Sequence, residues 1–199
     1  MEKIKLFVSE SMPQLTKETI SKQEIEDVID DISHHYEKAT VVENYPTKVD
    51  GWELKKIQLN TVTYFFAESP AHEVVYFVRI RKVENSLLPR PANRQVLVWR
   101  KKTGEVMSFL NGIAKWVFWN FVFGQHQCAV SDTVQTEEGA RFWTYIVQDA
   151  LEKHNRVRVI NTNDNTFKDY SSYSQFVKDD GKIWGTAEWF TRMVIAVYK

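Results

Sequence analysis

Between residues 21 and 36 apolar side chains recur at Ile25, Val28, Ile29 and Ile32, with acidic residues between them. That spacing predicts an amphipathic helix over 21–36. Pro46 and Gly51 then interrupt the chain. Residues 52–59 and 61–67 alternate around Asn60, which predicts two strands. Residues 73–83 predict a stronger strand, because Val75, Tyr76, Phe77, Val78 and Ile80 are β-branched or aromatic. Leu87-Leu-Pro-Arg-Pro91 predicts a loop, since prolines two residues apart exclude helix and central strand alike. Another strand is expected over 94–100, ending at the turn signal Lys101-Lys-Thr-Gly104.

From residue 110 to 121, apolar residues fall at 110, 113, 114, 117, 118 and 121, one face of a helix. The run Trp116-Val-Phe-Trp-Asn-Phe-Val-Phe123 also fits a strand that hairpins through Gly124. The helix is the better match, because no polar alternation accompanies the apolar positions. Cys128-Ala-Val130 is a short apolar strand. It leads through a polar turn into a helix of roughly fifteen residues, and a strand over 156–160 follows. A polar loop over 161–169, a short helix over 170–177, a turn at Asp179-Asp-Gly181 and a strand over 190–198 complete the chain. Met193, Ile195 and Val197 share one face of that last strand. Strands first, then strand, helix, strand, helix, strand, describes one α/β (α+β) domain over 1–199 with a mixed sheet, residues 1–20 standing as an extension. In that sheet the strands at 129–131 and 157–160 are expected to be parallel neighbours, joined by a right-handed helical crossover.

Composition narrows the class. Apolar residues are 43% of the chain and aromatics 14%, with seven Trp and twelve Phe, so disorder is excluded. The 26 basic and 26 acidic side chains cancel, so net charge offers no reason to bind nucleic acid or an anionic membrane. The single cysteine, Cys128, excludes an internal disulfide and a cysteine-based zinc cluster. It lies in an apolar run, as an inert buried thiol would, and a reducing cytoplasmic location is the simplest expectation. Residues 1–8 carry charges inside an apolar run too short for a signal peptide. The most hydrophobic stretch, 113–123, falls short of the roughly twenty residues a membrane span needs.

The strand-turn-helix-strand unit beginning at Cys128 aims a helix N-terminus, with its unbonded amides, beyond the strand ends, a place suited to a phosphate-bearing ligand. In order and in the loop Gln135-Thr-Glu-Glu-Gly-Ala-Arg141, the chain resembles the GNAT acyltransferase superfamily. There the fourth strand leads into a Gln/Arg-x-x-Gly-x-Gly/Ala loop whose amides hold the pyrophosphate of acyl-CoA. The corresponding residues here are Thr136, Glu137, Glu138, Gly139, Ala140 and Arg141. Gly139 falls at its place, whereas Thr136 stands where Gln or Arg is usual and Arg141 where Gly or Ala is usual. The stretch 131–143 is also similar to divergent GNAT-like proteins of bacteriophages, and broadly to toxin-activating acyltransferases that use acyl carrier protein as donor. In that group an N-terminal helix supplies a histidine, and Ser33-His-His-Tyr36 occupies the comparable place.

The resemblance implies a splayed central pair of parallel strands and transfer of an acyl group from a thioester, acyl-CoA or acyl carrier protein, to an amine, for instance on a protein. A phage-encoded protein would work in the host cytoplasm. No metal is implied. Asp132, at a strand end, is placed to act as general base, with His35 or Tyr173 as acid or orienting group. Tyr170 and Tyr173 fall where such enzymes place the tyrosine that reprotonates the leaving thiolate. Each residue also has a purely structural reading. Ser131, Asp132 and Thr133 satisfy turn amides, Thr136 caps a helix, and Glu137 and Glu138 complement its dipole. His34 and His35 sit at a helix C-terminus, where the dipole favours them, and His126 lies in a polar loop. Trp116, Phe118, Trp119, Phe142, Trp143 and Trp189 suit a core. Arg79, Arg81 and Lys82, beside Arg90, Arg94 and Arg100, which are expected to be exposed, line a cleft for an acidic donor or form a solvated face. A non-catalytic GNAT-like binding or inhibitor protein directed at a host factor is the alternative from another class. A nucleic-acid-modifying enzyme would need a basic patch.

Overall fold

A computed structural model describes residues 22–47, 49–100, 107–110, 112–132, 137–184 and 193–199. Helix α1 (Lys22–His34) matches the first periodic segment. It buries Val28 and Ile32 against Ile57, Tyr64, Phe66, Phe77 and Leu97. The strands are β1 (Thr40–Val41), β2 (Glu53–Gln58), β3 (Val62–Glu68), β4 (Val74–Val83) and β5 (Ala92–Arg100). Consecutive strands of this run pair antiparallel, with Phe65 opposite Val78 and Val78 opposite Val98. Alternation does the sorting: Phe66 and Phe77 face α1, while Leu54, Phe65 and Val78 face the opposite layer.

Where helix and strand competed over 110–121, residues 113–122 are helical. Short helices α2 (Met107–Leu110) and α3 (Ile113–Val117) run into a π-helical turn at Phe118–Val122. Gly112, at φ 75°, adopts the left-handed conformation that separates α2 from α3. Strand β6 (Cys128–Val130) follows, then α4 (Glu137–Glu152), β7 (Arg156–Asn161), β8 (Thr166–Tyr170), α5 (Tyr173–Trp184) and β9 (Met193–Tyr198). Among the described residues the sheet has nine strands, in the order β1-β2-β3-β4-β5-β6-β9-β7-β8. It is mixed and mostly antiparallel, with one parallel pair and helices on its faces.

Two expectations are corrected. The strands around Ala129 and Val157 are not neighbours: β9 lies between them, antiparallel to both. The parallel pair is β5 with β6, joined at Asn93–Ala129 and Arg94–Val130. The reason is burial. Val194, Ile195, Ala196 and Val197 are all buried, so β9 needs a partner on each edge and cover on each face. By contrast β7 carries Arg156 and Arg158 and takes a place nearer the rim.

The second correction concerns 161–181. The polar stretch contains a hairpin, with β8 paired to β7, and Asn165 at φ 59° turns the chain. Its polarity reflects an edge strand exposed at all but its last residue, anchored by the Arg158–Asp169 ion pair at 2.7 Å. Helix α5 begins three residues later than expected and runs through the supposed turn at 179–181. Phe176 and Ile183, two helical turns apart, are both buried, and this burial outweighs the turn preference of Asp and Gly. The turn at 101–104, Trp189 and residues 190–192 lie outside the described residues.

The main core joins the helical layer (α2 to α5) to one sheet face. Phe118 meets Trp143 edge-on at 5.4 Å, and Ile146, Val147 and Ala150 of α4 pack over Ala129, Val157 and Ile195. Phe118 and Trp143 are therefore core residues, and Trp116, Trp119 and Phe142 pack against it. Among the described residues no helix is long and apolar enough to cross a membrane.

Candidate functional site

The parallel pair positions the candidate chemistry. Pairing between β5 and β6 spans two residues and stops, while β5 runs on to Arg100. Beyond Val130 the chain turns its bonding toward β9. The Ser131 amide donates to the Ile195 carbonyl at 2.8 Å, and the Ile195 amide donates to Ser131 Oγ at 3.0 Å. Ser131, fully buried, thus completes the ladder with its side chain and fixes the backbone from which Asp132 projects.

Consecutive residues of β5 hold the two sides of this opening. The Asn93 amide donates to the carbonyls of Phe121 (3.3 Å) and Val122 (3.0 Å), tying the π-helical turn to the strand. A π-helical turn leaves carbonyls without their usual α-helical partners, and Asn93 supplies donors for them. Arg94, pointing the other way, makes an ion pair with Asp132. Their side chains are 6% and 14% exposed, so Arg94 is buried rather than exposed as expected, because the sheet edge that would have freed it is covered by β6. Arg94 lies opposite Arg81, and Arg79 opposite Tyr64, so one sheet face carries a row of three guanidinium groups.

Asp132 therefore meets neither expectation in simple form. Its carboxylate is engaged by a buried guanidinium rather than standing as a turn acceptor alone. The other proposed catalytic groups do not converge on it. His35 follows α1, and its Nδ1 lies 3.0 Å from the Asp31 carbonyl oxygen and 3.3 Å from an Asp31 carboxylate oxygen. Tyr173 opens α5, its ring stacked on Phe176 at 6.3 Å in the main core. Helices α1 and α5 cover opposite faces of the sheet, so the sheet stands between His35 and Tyr173. Tyr170 is buried and donates to Asp179 at 3.0 Å; burial, then this bond, raises its hydroxyl pKa. Thr136 and Thr133 lie outside the described residues. Glu137, Glu138, Gly139, Ala140 and Arg141 form the opening turns of α4 itself rather than a loop before it.

A second polar cluster escaped sequence reasoning. Glu68, 4% exposed, binds the Lys55 ammonium at 2.6 Å, accepts from the Tyr36 hydroxyl at 2.7 Å and lies 2.6 Å from His72 Nδ1. Burial works to raise its carboxyl pKa, but the bonds from Lys55, Tyr36 and His72 prevail and hold it below 4.5. Its only signal in the sequence was a carboxylate closing the apolar run Val62–Glu68. The Arg94–Asp132 pair had none, because its partners are 38 residues apart. Among the described residues there is no group of three or more His, Cys, Asp or Glu side chains able to hold a metal. No family model and no curated protein matches the chain.

Proposed function

We propose that this chain is a GNAT-like acyltransferase, moving an acyl group from a thioester donor, acyl-CoA or acyl carrier protein, to an amine. The observation that carries the reading is the strand order. An antiparallel run ends in one parallel pair, β5 with β6, whose bonding stops after two residues, and β9 returns between β6 and β7. A gap between parallel strands beside helix starts is where α/β sheets receive ligands. In the proposed step the amine nitrogen attacks the thioester carbonyl, the C–N bond forms and the C–S bond breaks. Asp132, oriented by Arg94, takes the proton from the amine; the thiolate leaves and takes up a proton from solvent, to which Asp132 gives up its own.

The phosphate cradle in this reading is the stretch 136–141, of which Glu137–Arg141 open α4 and Thr136 lies outside the described residues. The test is native mass spectrometry with acetyl-CoA and with an acyl carrier protein, paired with a free-thiol release assay on a polyamine. Retention of a donor that is lost in Gly139→Glu supports the reading. No retained donor and no thiol release refutes it.

A second reading has its own observation. The candidate base is engaged by Arg94, and His35 and Tyr173 face opposite sides of the sheet. This favours a non-catalytic GNAT-like protein that binds a host factor, and a failed donor assay would leave that reading standing.

A further inference from the structure

Lys55 and Lys56 are neighbours in β2 and point to opposite faces of the sheet, with contrasting surroundings. The Lys55 ammonium is met by Glu68 at 2.6 Å and Glu53 at 3.1 Å. The Lys56 ammonium lies over the Phe65 ring, 6.0 Å from its centroid, and has no carboxylate partner among the described residues. Lys56 as a whole is part-buried, so its ammonium is a cation held beside an aromatic ring with no carboxylate to neutralise it.

Lys56 forms part of the wall of a cavity of about 350 Å³. The cavity lies under the π-helical turn, at the end of the sheet where β2 finishes and β3 begins. Its apolar wall is Phe65 and Phe121, whose rings sit 4.3 Å apart. Neutral hydrogen-bonding groups, among them Gln58, Thr63 and Gln125, line the rest of it, and none of its described lining residues is Asp or Glu. One cation, an aromatic wall and several neutral donors and acceptors form the small set of convergent polar groups on an apolar surface that marks a ligand site. The volume falls in the range of roughly 300–1,000 Å³ usual for small-molecule sites. Residues after the π-helical turn also shape it: a Cβ on Gly124 would stand 2.5 Å from the Asn120 carbonyl oxygen, so only glycine lets the chain close here.

We propose that this cavity binds a small anion with a flat apolar body, its carboxylate or phosphate on Lys56 and its body against Phe65 and Phe121. The site is separate from the Arg94–Asp132 pair: Lys56, Phe65 and Asn93 face the helical layer, Arg94 the other side. It does not depend on acyl transfer.

The probes are benzoate and phenyl phosphate as anions, benzyl alcohol as the neutral analogue and benzylamine as the cation. Binding is followed by titration with amide-resolved NMR, which reads the side-chain amides of Gln58, Asn120 and Gln125. Expected are saturable shifts of those amides with an anion, at least tenfold weaker binding of benzyl alcohol and none of benzylamine. Lys56→Gln loses the anion preference and Lys56→Arg keeps it. The wild-type comparison of charged and neutral probes stands even if a variant fails to fold. No shifts at these amides, equal affinity for benzyl alcohol, binding of benzylamine, or an unchanged preference in Lys56→Gln would each overturn the assignment. Donor retention in the acyltransfer test has no bearing on these outcomes, so the two readings fail separately.

Discussion

Removing the Asp132 carboxylate strips a buried guanidinium of an ion-pair partner. With the two side chains 6% and 14% exposed, the pair sits close to the buried limit. Breaking a buried pair by removing one partner costs about 3–5 kcal/mol, and the partial exposure of Asp132 places Asp132→Ala near the lower end, about 3 kcal/mol. Asp132→Asn keeps an acceptor for Arg94 and should cost less, about 2 kcal/mol. Replacing both groups, as Arg94→Met with Asp132→Leu, removes the stranded charge and should return stability to within about 1 kcal/mol of wild type. Urea unfolding at pH 7 reads all four proteins. With a slope of about 2 kcal/mol per molar, the Asp132→Ala midpoint should fall by about 1.5 M and the double variant should recover most of it. Single variants costing under about 1 kcal/mol, or costs that simply add in the double variant, would refute the buried-pair account. The consequence for function is practical: turnover of Asp132→Asn has meaning only per folded molecule, because the substitution costs stability whether or not Asp132 is the base.

Two further outcomes follow from the ionisable groups. The Glu68 carboxyl is held below 4.5 in the fold, so its stabilising contribution is complete above that value and fades as pH falls through the lower folded value. Urea midpoints of wild type and Glu68→Gln should therefore differ clearly at pH 7 and draw together as pH falls below 4.5; a difference that stays constant as pH falls would refute the role of the cluster. Burial pushes the Cys128 thiol up to about 11, against the opposing fields of Arg90 and Arg158. A disulfide reagent at pH 8 should modify it only in denaturant, and rapid reaction of the native protein would contradict the fully buried position.

Segments whose burial pattern is set by their own residues were legible in the chain. The periodic Ile25, Val28, Ile29 and Ile32 formed α1, and β2, β3 and β4 begin and end within two residues of their expected bounds. The helix expected over 110–121 is found from 113 onward, because an apolar face wide enough for a core is written in the spacing itself, whereas the break at Gly112 is not. Local signals misled where partners decide. The polar run before Tyr170 became a strand because β7 offered it an edge, and Asp179-Asp-Gly181 stayed helical because Phe176 and Ile183 reach the core on either side.

What only the tertiary structure decided is which strands meet. A parallel crossover passes through a helix, so the partners of β6 lie far along the chain and nothing near Cys128 specifies them. The insertion of β9 between β6 and β7 follows from burial on both its faces, which depends on every other element being in place. The same holds for the site. Asp132 was readable as a carboxylate at a strand end, but its engagement by Arg94 exists only because β5 and β6 lie side by side. Periodicity along the chain can be computed one segment at a time; pairing between segments is a property of the whole packed molecule.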